Sequence, residues 1–262
     1  MLQPDLELAM QAAQEAGIQT LEYFGGQYEV QDKGGGDPLT TADLAANAVL
    51  SERLRSARPD YGWLSEETVD DKTRLSCQKT WIVDPIDGTR EFVEGLPEYV
   101  VCVALCDSGV PTVGVIYNPA RDALYAAVHQ GGAFLNGKRI FCSETSSLTV
   151  ATSIVSRSED KRGEITLFRP HIGPVTPVGS VAYKLALVAA GETDMNFSVQ
   201  PKNEWDVCAG DLLIREAGGH MLDLQGNVRH YNQTDPLIRG GLVAGNTKLT
   251  RQFLRLIDEV RE

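Results

Sequence analysis

Trp81-Ile82-Val83-Asp84-Pro85-Ile86-Asp87-Gly88-Thr89 is an apolar run that ends in two carboxylates three residues apart. Trp81, Ile82 and Val83 read as a buried strand, because consecutive large apolar residues fit an element covered on both faces. Asp84 then stands at the carboxyl end of that strand, where open α/β sheets place ligands. Pro85 has no N–H for a ladder, so the strand is expected to stop there. Asp87-Gly88 is a turn dipeptide that folds the chain back. The pattern directs two carboxylates to one point, with the N–H groups of Gly88 and Thr89 beside them. Carboxylates that close repel unless positive charge lies between them, and N–H groups at a turn or helix start attract phosphate. A hard cation beside a phosphate accounts for both. Taken alone, D-x-x-D-G also has a plainer reading, a strand end closing in an Asx turn.

Outward from this run, the middle of the chain reads as a largely antiparallel sheet. Residues 99–106 and 110–117 look like strands around an Asp107-Ser108-Gly109 turn, and 123–128 like a third. On the N-terminal side, Leu2, Leu6, Ala9, Ala13 and Ala16 mark one face of a helix that Gly25-Gly26 should end. Gly34-Gly35-Gly36-Asp37-Pro38 reads as a loop that is mobile or close to a ligand. Residues 40–57 read as a second helix, and Trp63-Leu64 as a short strand ending at Ser65-Glu66-Glu67. The second half changes character. Strands are expected at 150–155, 194–197 and 242–244, with a polar segment at 156–160. Residues 174–178 should lead through Gly179-Ser180 into a helix ending near 190. A further helix should open at Asp206 and stop at Gly218-Gly219, and the last should carry Leu249, Phe253, Leu256 and Val260. Strands alternating with helices suggest an α/β half, 146–262, after an α+β half, 1–145.

The chain has 262 residues, enough for one large domain or two small ones sharing a core. Its 42% hydrophobic and 23% charged content is that of a globular protein. No apolar run approaches the roughly 20 residues of a membrane span, and no secretory signal is visible at the N-terminus. A formal net charge of −12 argues against binding a nucleic-acid polymer. It leaves room for a small anionic substrate, since bound cations reverse the sign of a site. The five cysteines (Cys77, Cys102, Cys106, Cys142, Cys208) include no C-x-x-C and read as reduced core thiols, consistent with a cytoplasmic protein. The four histidines show no zinc spacing. Metal ligands, if any, are therefore oxygens.

Three more acidic features bear on that reading. Glu66-Glu67 also lies at a strand end, although a solvated acidic turn would look the same. Asp206 opens a helix, where a capping carboxylate is the plainer role. Asp43 follows Thr40 by three residues, a capping-box spacing. In combination, Glu66, Asp84, Asp87 and Asp206 supply hard oxygens from separate elements, which suits Mg²⁺ or Mn²⁺ over zinc or copper. Two such cations can activate a water and clamp a phosphate.

Four segments in register make the resemblance specific: Asp37-Pro38-Leu39-Thr40-Thr41-Ala42-Asp43, Ser65-Glu66-Glu67, residues 81–89, and Glu204-Trp205-Asp206-Val207-Cys208-Ala209-Gly210. Residues 131–137 and Glu216-Ala217-Gly218-Gly219 add to them. From about residue 37 to 247 the chain resembles the inositol monophosphatase superfamily of Mg²⁺-dependent, lithium-sensitive phosphomonoesterases. The resemblance implies an α/β (α+β) fold, a layered αβαβα sandwich. It implies that Glu66, Asp84 and the Ile86 carbonyl hold one metal, that Asp84, Asp87 and Asp206 hold a second, and that Glu67 serves a weaker third or its waters. Asp43 and Thr89 would orient the attacking water, and the Gly88 and Thr89 N–H groups would hold phosphate oxygens.

The superfamily hydrolyses inositol phosphates, 3′-phosphoadenosine 5′-phosphate or sugar phosphates on one scaffold. Here Arg90-Glu91-Phe92 after Gly88-Thr89, Ser156-Arg157-Ser158, Lys184 after Gly179-Ser180, and residues 231–236 resemble the CysQ-like 3′(2′),5′-bisphosphate nucleotidases. Residues 131–137 look more like the inositol phosphatases. The expected substrate is 3′-phosphoadenosine 5′-phosphate, with its 5′-phosphate toward Lys184 and Ser156-Arg157 and with Gly179 and Ser180 as further substrate contacts. Arg157 and Lys184 could equally be a solvated surface pair. The alternatives are an inositol-1-monophosphatase or sugar-phosphate phosphatase and, more distantly, a cation-binding protein without turnover. Thr89 and Asp43 speak against the last, because a purely binding site needs no water-orienting hydroxyl. A monomer or homodimer without membrane insertion is expected.

Overall fold

The computed structural model describes residues 3–32, 34 and 38–261. Leu2, Gly35, Gly36 and Asp37 of the sequence reading lie outside them. Helix α1 (Gln3–Leu21) is followed by the antiparallel pair β1 (Val30–Asp32) and β2 (Pro38–Thr40), then by α2 (Thr41–Ala57). The first large sheet comprises β3 (Gly62–Ser65), β4 (Lys79–Asp87), β5 (Val100–Asp107), β6 (Val110–Asn118), β7 (Ala123–Val128), β8 (Gly132–Leu135) and β9 (Lys138–Ile140), in that spatial order. Within this sheet only β3 and β4 pair in parallel. The short helix α3 (Thr89–Val93) leaves β4. The second half carries β10 (Ser153–Ser156), α4 (Arg157–Lys161), β11 (Val175–Val178), α5 (Val181–Ala189), β12 (Met195–Ser198), β13 (Lys202–Asn203), α6 (Glu204–Glu216), β14 (His220–Leu222), β15 (Leu237–Ile238), β16 (Leu242–Gly245) and α7 (Thr247–Arg261). Its five-stranded sheet has the order β11-β10-β12-β16-β14, parallel across the first three strands and antiparallel beyond. Strands β13 and β15 form a separate antiparallel pair.

The periodicity of β4 explains the layering. Trp81 and Val83 point to one face and pack with Ala9, Ala13, Leu50 and Leu54 of α1 and α2. Ile82 points to the other and packs with Leu185, Ala186, Leu212 and Leu213 of α5 and α6. The strand is apolar throughout because both of its faces are covered. Helices α5 and α6 also contact strands of the five-stranded sheet, whose far side buries Phe197 and Val243 against Leu249 and Phe253 of α7. The layers therefore run helix, sheet, helix, sheet, helix. The middle helix layer comes very close to the first sheet at Gly114. A Cβ there would lie 2.7 Å from the Ala209 carbonyl oxygen, so any larger residue would push α6 off β6.

Several local expectations shift. Strand β4 does not stop at Pro85 but runs to Asp87. Against β5, Asp84 faces Cys102 and Asp87 faces Val100, so one extra residue is accommodated in a bulge. Pro85 sits in that bulge, where a missing N–H costs no ladder bond. Helix α1 ends at Leu21 rather than at Gly25-Gly26, and Phe24 turns out of the helix direction to pack on Phe92 and Tyr99. The strand expected from residue 150 begins at Ser153, because Val150 and Ala151 N–H groups close a turn on the Ser147 carbonyl. The polar segment 156–160 is largely helix α4, capped by Ser156. Strands β8 and β9 were not foreseen. Cys102, Cys106, Cys142 and Cys208 are buried free thiols, whereas Cys77 is only half-buried and so is not a core residue.

Candidate active site

The bulge at the end of β4 turns Asp84, Ile86 and Asp87 into a cleft of about 370 Å³. Its walls include Glu66 from the end of β3, Gly88 and Thr89 from the start of α3, and Ser156 and Arg157 after β10. Gly179, Ser180 and Lys184 come from the entry to α5, and Asp206 from α6. Residues 140 positions apart in sequence thus meet in one space. Asp43 reaches it through Thr89. Glu67 does not appear among the described residues that line the cleft.

Three of the carboxylates are held at helix N-termini, where N–H groups and the helix dipole favour negative charge. Asp43 closes a capping box at the start of α2: its Oδ2 accepts from the Thr40 N–H at 2.7 Å and the Thr40 hydroxyl at 2.6 Å. Asp87 Oδ2 accepts from the Ala182 N–H of α5 at 2.5 Å and from Ser180 Oγ at 2.7 Å. Asp206 is the third residue of α6 rather than its cap, and its Oδ2 accepts from the Asn203 N–H at 2.7 Å. Asp84 Oδ1 accepts from the Ile86 N–H at 3.0 Å inside the bulge. Gly88 makes the sharp exit from β4 with φ +101°. A Cβ on it would lie 2.7 Å from the Glu98 carbonyl oxygen and 3.1 Å from the Ser180 Cβ, so only glycine fits. Thr89 Oγ1 is within donating distance of Asp43 Oδ1 at 3.1 Å and of the Ile86 carbonyl at 3.0 Å.

The electrostatics follow from the crowding. Burial, and then the charges of Glu66, Asp87 and Asp206, push the Asp84 carboxyl well above the ordinary carboxylate range. Burial followed by Asp87 and Glu66 does the same to Asp206. Burial raises Asp87 too, opposed by its bonds to Ser180 and Ala182 and by the Lys184 charge. Among the described residues, no group of three or more His, Cys, Asp or Glu side chains is gathered tightly enough to hold an ion as it stands. The carboxylates are instead anchored on their own N–H and O–H donors around a common space. As a donor set, mutually repelling, partly desolvated hard oxygens beside a backbone carbonyl suit a hard divalent cation.

Two cations of the cleft are engaged within the protein. Arg157 bridges Glu91 at 3.0 Å and Glu98 at 2.8 Å. Lys184 Nζ donates to the carbonyls of Val178, Gly179 and Ser180, and burial lowers its pKa to about 8 against the opposing pull of Asp87. Sequence reasoning missed Glu98 and Lys202 as site residues, and Glu91 enters it only within Arg90-Glu91-Phe92, not as a partner of Arg157. Lys202 lines the cleft and lies 3.3 Å from buried Glu159. Its place four residues before Asp206 was a usable signal. Glu98 offered none, since its partner Arg157 is 59 residues away.

The sequence pattern of the Inositol monophosphatase family matches residues 1–262. An inositol-1-monophosphatase of Mesorhizobium japonicum is 38% identical over 264 residues, covering 96% of this chain and 95% of that protein. The crystal structure of extragenic suppressor protein suhB from Bartonella henselae superposes with a TM-score of 0.85 at 30% identity, covering 97% of this chain and 98% of that one. CysQ from Bacteroides thetaiotaomicron gives 0.77 at 28% identity, with 94% and 98% covered. The chain belongs to the inositol monophosphatase family, whose members are phosphomonoester hydrolases that use divalent metal ions.

Proposed function

We propose that this chain is a Mg²⁺-dependent phosphatase acting on the monophosphate ester of a cyclitol or sugar, with inositol 1-phosphate the first candidate. Glu66, Asp84 and the Ile86 carbonyl would hold one cation, and Asp84, Asp87 and Asp206 a second. Glu67 would serve a weaker third, and Mn²⁺ would suit the same oxygens. When bound, the cations supply positive charge to the phosphate oxygens and acidify a water. The chain's own residues do the rest. Thr89, donating to Asp43, keeps its lone pairs for a water proton, so the pair orients the nucleophile and takes up its proton. The N–H groups of Gly88 and Thr89, at the start of α3 beside the carboxylates, would hold phosphate oxygens. The observation that carries the reading is Thr89 Oγ1, 3.1 Å from Asp43 and 3.0 Å from the Ile86 carbonyl, at the edge of the carboxylate cluster.

The monophosphate reading draws on the same geometry. A second phosphate would have to draw Arg157 away from two glutamates and Lys184 away from three carbonyls. The second reading, 3′-phosphoadenosine 5′-phosphate, is supported by Ser156, Arg157, Gly179, Ser180 and Lys184 lining the cleft and by the likeness to CysQ. Phosphate release should be measured with inositol 1-phosphate, fructose 1,6-bisphosphate and 3′-phosphoadenosine 5′-phosphate, with and without Mg²⁺ and lithium. A higher kcat/KM on inositol 1-phosphate, lost without Mg²⁺ and inhibited by lithium, is expected. A preference for the adenosine bisphosphate selects the second reading. No release from any ester, with metal bound, leaves a cation-binding protein. A cytoplasmic monomer or homodimer fits the same proposal.

A further inference from the structure

Lys184 is only 3% exposed, near the start of α5. A buried ammonium must be given acceptors, and it takes three successive backbone carbonyls: Val178 at 3.2 Å, Gly179 at 3.3 Å, and Ser180. Three neighbouring carbonyls can converge on one point only if the chain curls as it enters the helix. Ser180 carries that curl, with φ +51° and ψ 131°, a conformation L side chains rarely adopt. From it, Ser180 Oγ accepts from the Tyr183 N–H at 3.0 Å and donates to Asp87 Oδ2 at 2.7 Å. The Ala182 N–H, also brought forward by the curl, donates to the same oxygen at 2.5 Å. A second support comes from outside the helix. The Gly179 N–H donates to Glu98 at 2.7 Å, and Glu98 is held in turn by Arg157.

We propose that Lys184 is a positioning residue: by gathering the 178–180 carbonyls it holds Ser180 in its strained conformation, and the Ser180 turn grips Asp87 through one oxygen. The proposal rests on the reading of Asp87 as a cation ligand. It removes Lys184 from the substrate contacts and makes it a determinant of metal affinity.

Mn²⁺ and Mg²⁺ should be titrated calorimetrically into the metal-free protein without substrate. Lys184→Met and Ser180→Ala should each weaken binding by roughly 10–100-fold, the usual scale for residues that orient a metal ligand. The double variant should lose little more than either single one, because both act through one carboxylate. Circular dichroism establishes that each variant is folded. Should Lys184→Met fail to fold, Lys184→Gln takes its place with the same expected direction, since its shorter amide keeps an N–H donor but cannot gather all three carbonyls. Wild-type metal affinity in either folded variant overturns the proposal, and a raised KM with that affinity intact would make Lys184 a substrate contact. Failure of the wild type to hydrolyse any ester while binding Mn²⁺ would remove the proposed function and leave this inference to the affinities.

Discussion

Thr89 has one hydroxyl proton and two acceptors in reach, Asp43 Oδ1 and the Ile86 carbonyl. A threonine placed for packing alone would need neither. If its hydroxyl orients a water, Thr89→Ala should lower kcat by roughly 10²–10⁴, the scale of lost acid–base assistance, with little change in Mg²⁺ affinity. Thr89→Ser keeps the oxygen and should recover much of the rate. Equal rates for the two variants would make Thr89 a packing residue. Residue identity was readable here from spacing: Asp84, Asp87 and Thr89 fall within six positions. What spacing could not show is how each carboxylate is held. That Asp87 is gripped by Ser180 and Ala182 depends on contacts 93 and 95 residues apart.

At the scale of elements, the cleft is made by ends: the bulged end of β4 and the first turns of α3, α5 and α6, with the start of α2 behind them carrying Asp43 to Thr89. The start of α2 was legible as a capping signal, Thr40 before Asp43, whereas the Ser180 cap of α5 was not. Helix α6 begins two residues before the expected Asp206, because Asn203 is its cap and Asp206 its third residue, accepting from the Asn203 N–H. Strands β8 and β9 were missed because Gly131, Gly132 and Gly137 mask a short alternating pattern. A further element was not legible at all: the loop at 70–76 is tied to the segment before β15 by buried Arg74. Its guanidinium donates to Asp70 at 2.8 Å, to Asn232 at 2.6 Å and to the Gln233 carbonyl at 2.8 Å. Burial pushes Asp70 upward, but bonds from Arg74 and Lys72 outweigh it and hold its pKa at about 2, below the ordinary 3.8. Because the folded value is the lower one, the stability it contributes is fully present above about pH 4. It is lost as pH falls toward 2. Asp70→Asn should therefore destabilise the protein at neutral pH and flatten the melting temperature between pH 4 and pH 2. A variant that tracks the wild type through that range would show that the pair contributes nothing to acid stability.

On the scale of the whole molecule, the αβαβα order follows from which faces are apolar. Strand β4 is covered by α1 and α2 on one side and α5 and α6 on the other, and that middle helix layer is shared with the second sheet. The cleft gathers the ends of these layers, so Asp84 from the first sheet and Asp206 from the middle helices both line it. The same arrangement makes the site a liability when no cation is present. Asp84 is 1% exposed, and four neighbouring carboxylates, Glu66, Asp87, Asp206 and Asp43, push its pKa up in addition to burial. A ligand that binds only the folded state stabilises it by mass action, whereas an unfilled cluster of buried like charges opposes folding. Asp84→Asn keeps the shape of the side chain and its acceptor for the Ile86 N–H while removing the charge at the centre. In EDTA this variant should melt several degrees above the wild type. In saturating Mg²⁺ the order should reverse if, as proposed, Asp84 ligates the cation, because the variant lacks that charge, and its turnover should fall by orders of magnitude. A wild type whose melting temperature ignores both Mg²⁺ and EDTA, or an Asp84→Asn enzyme with near-normal turnover, would remove the carboxylate cluster from the metal chemistry.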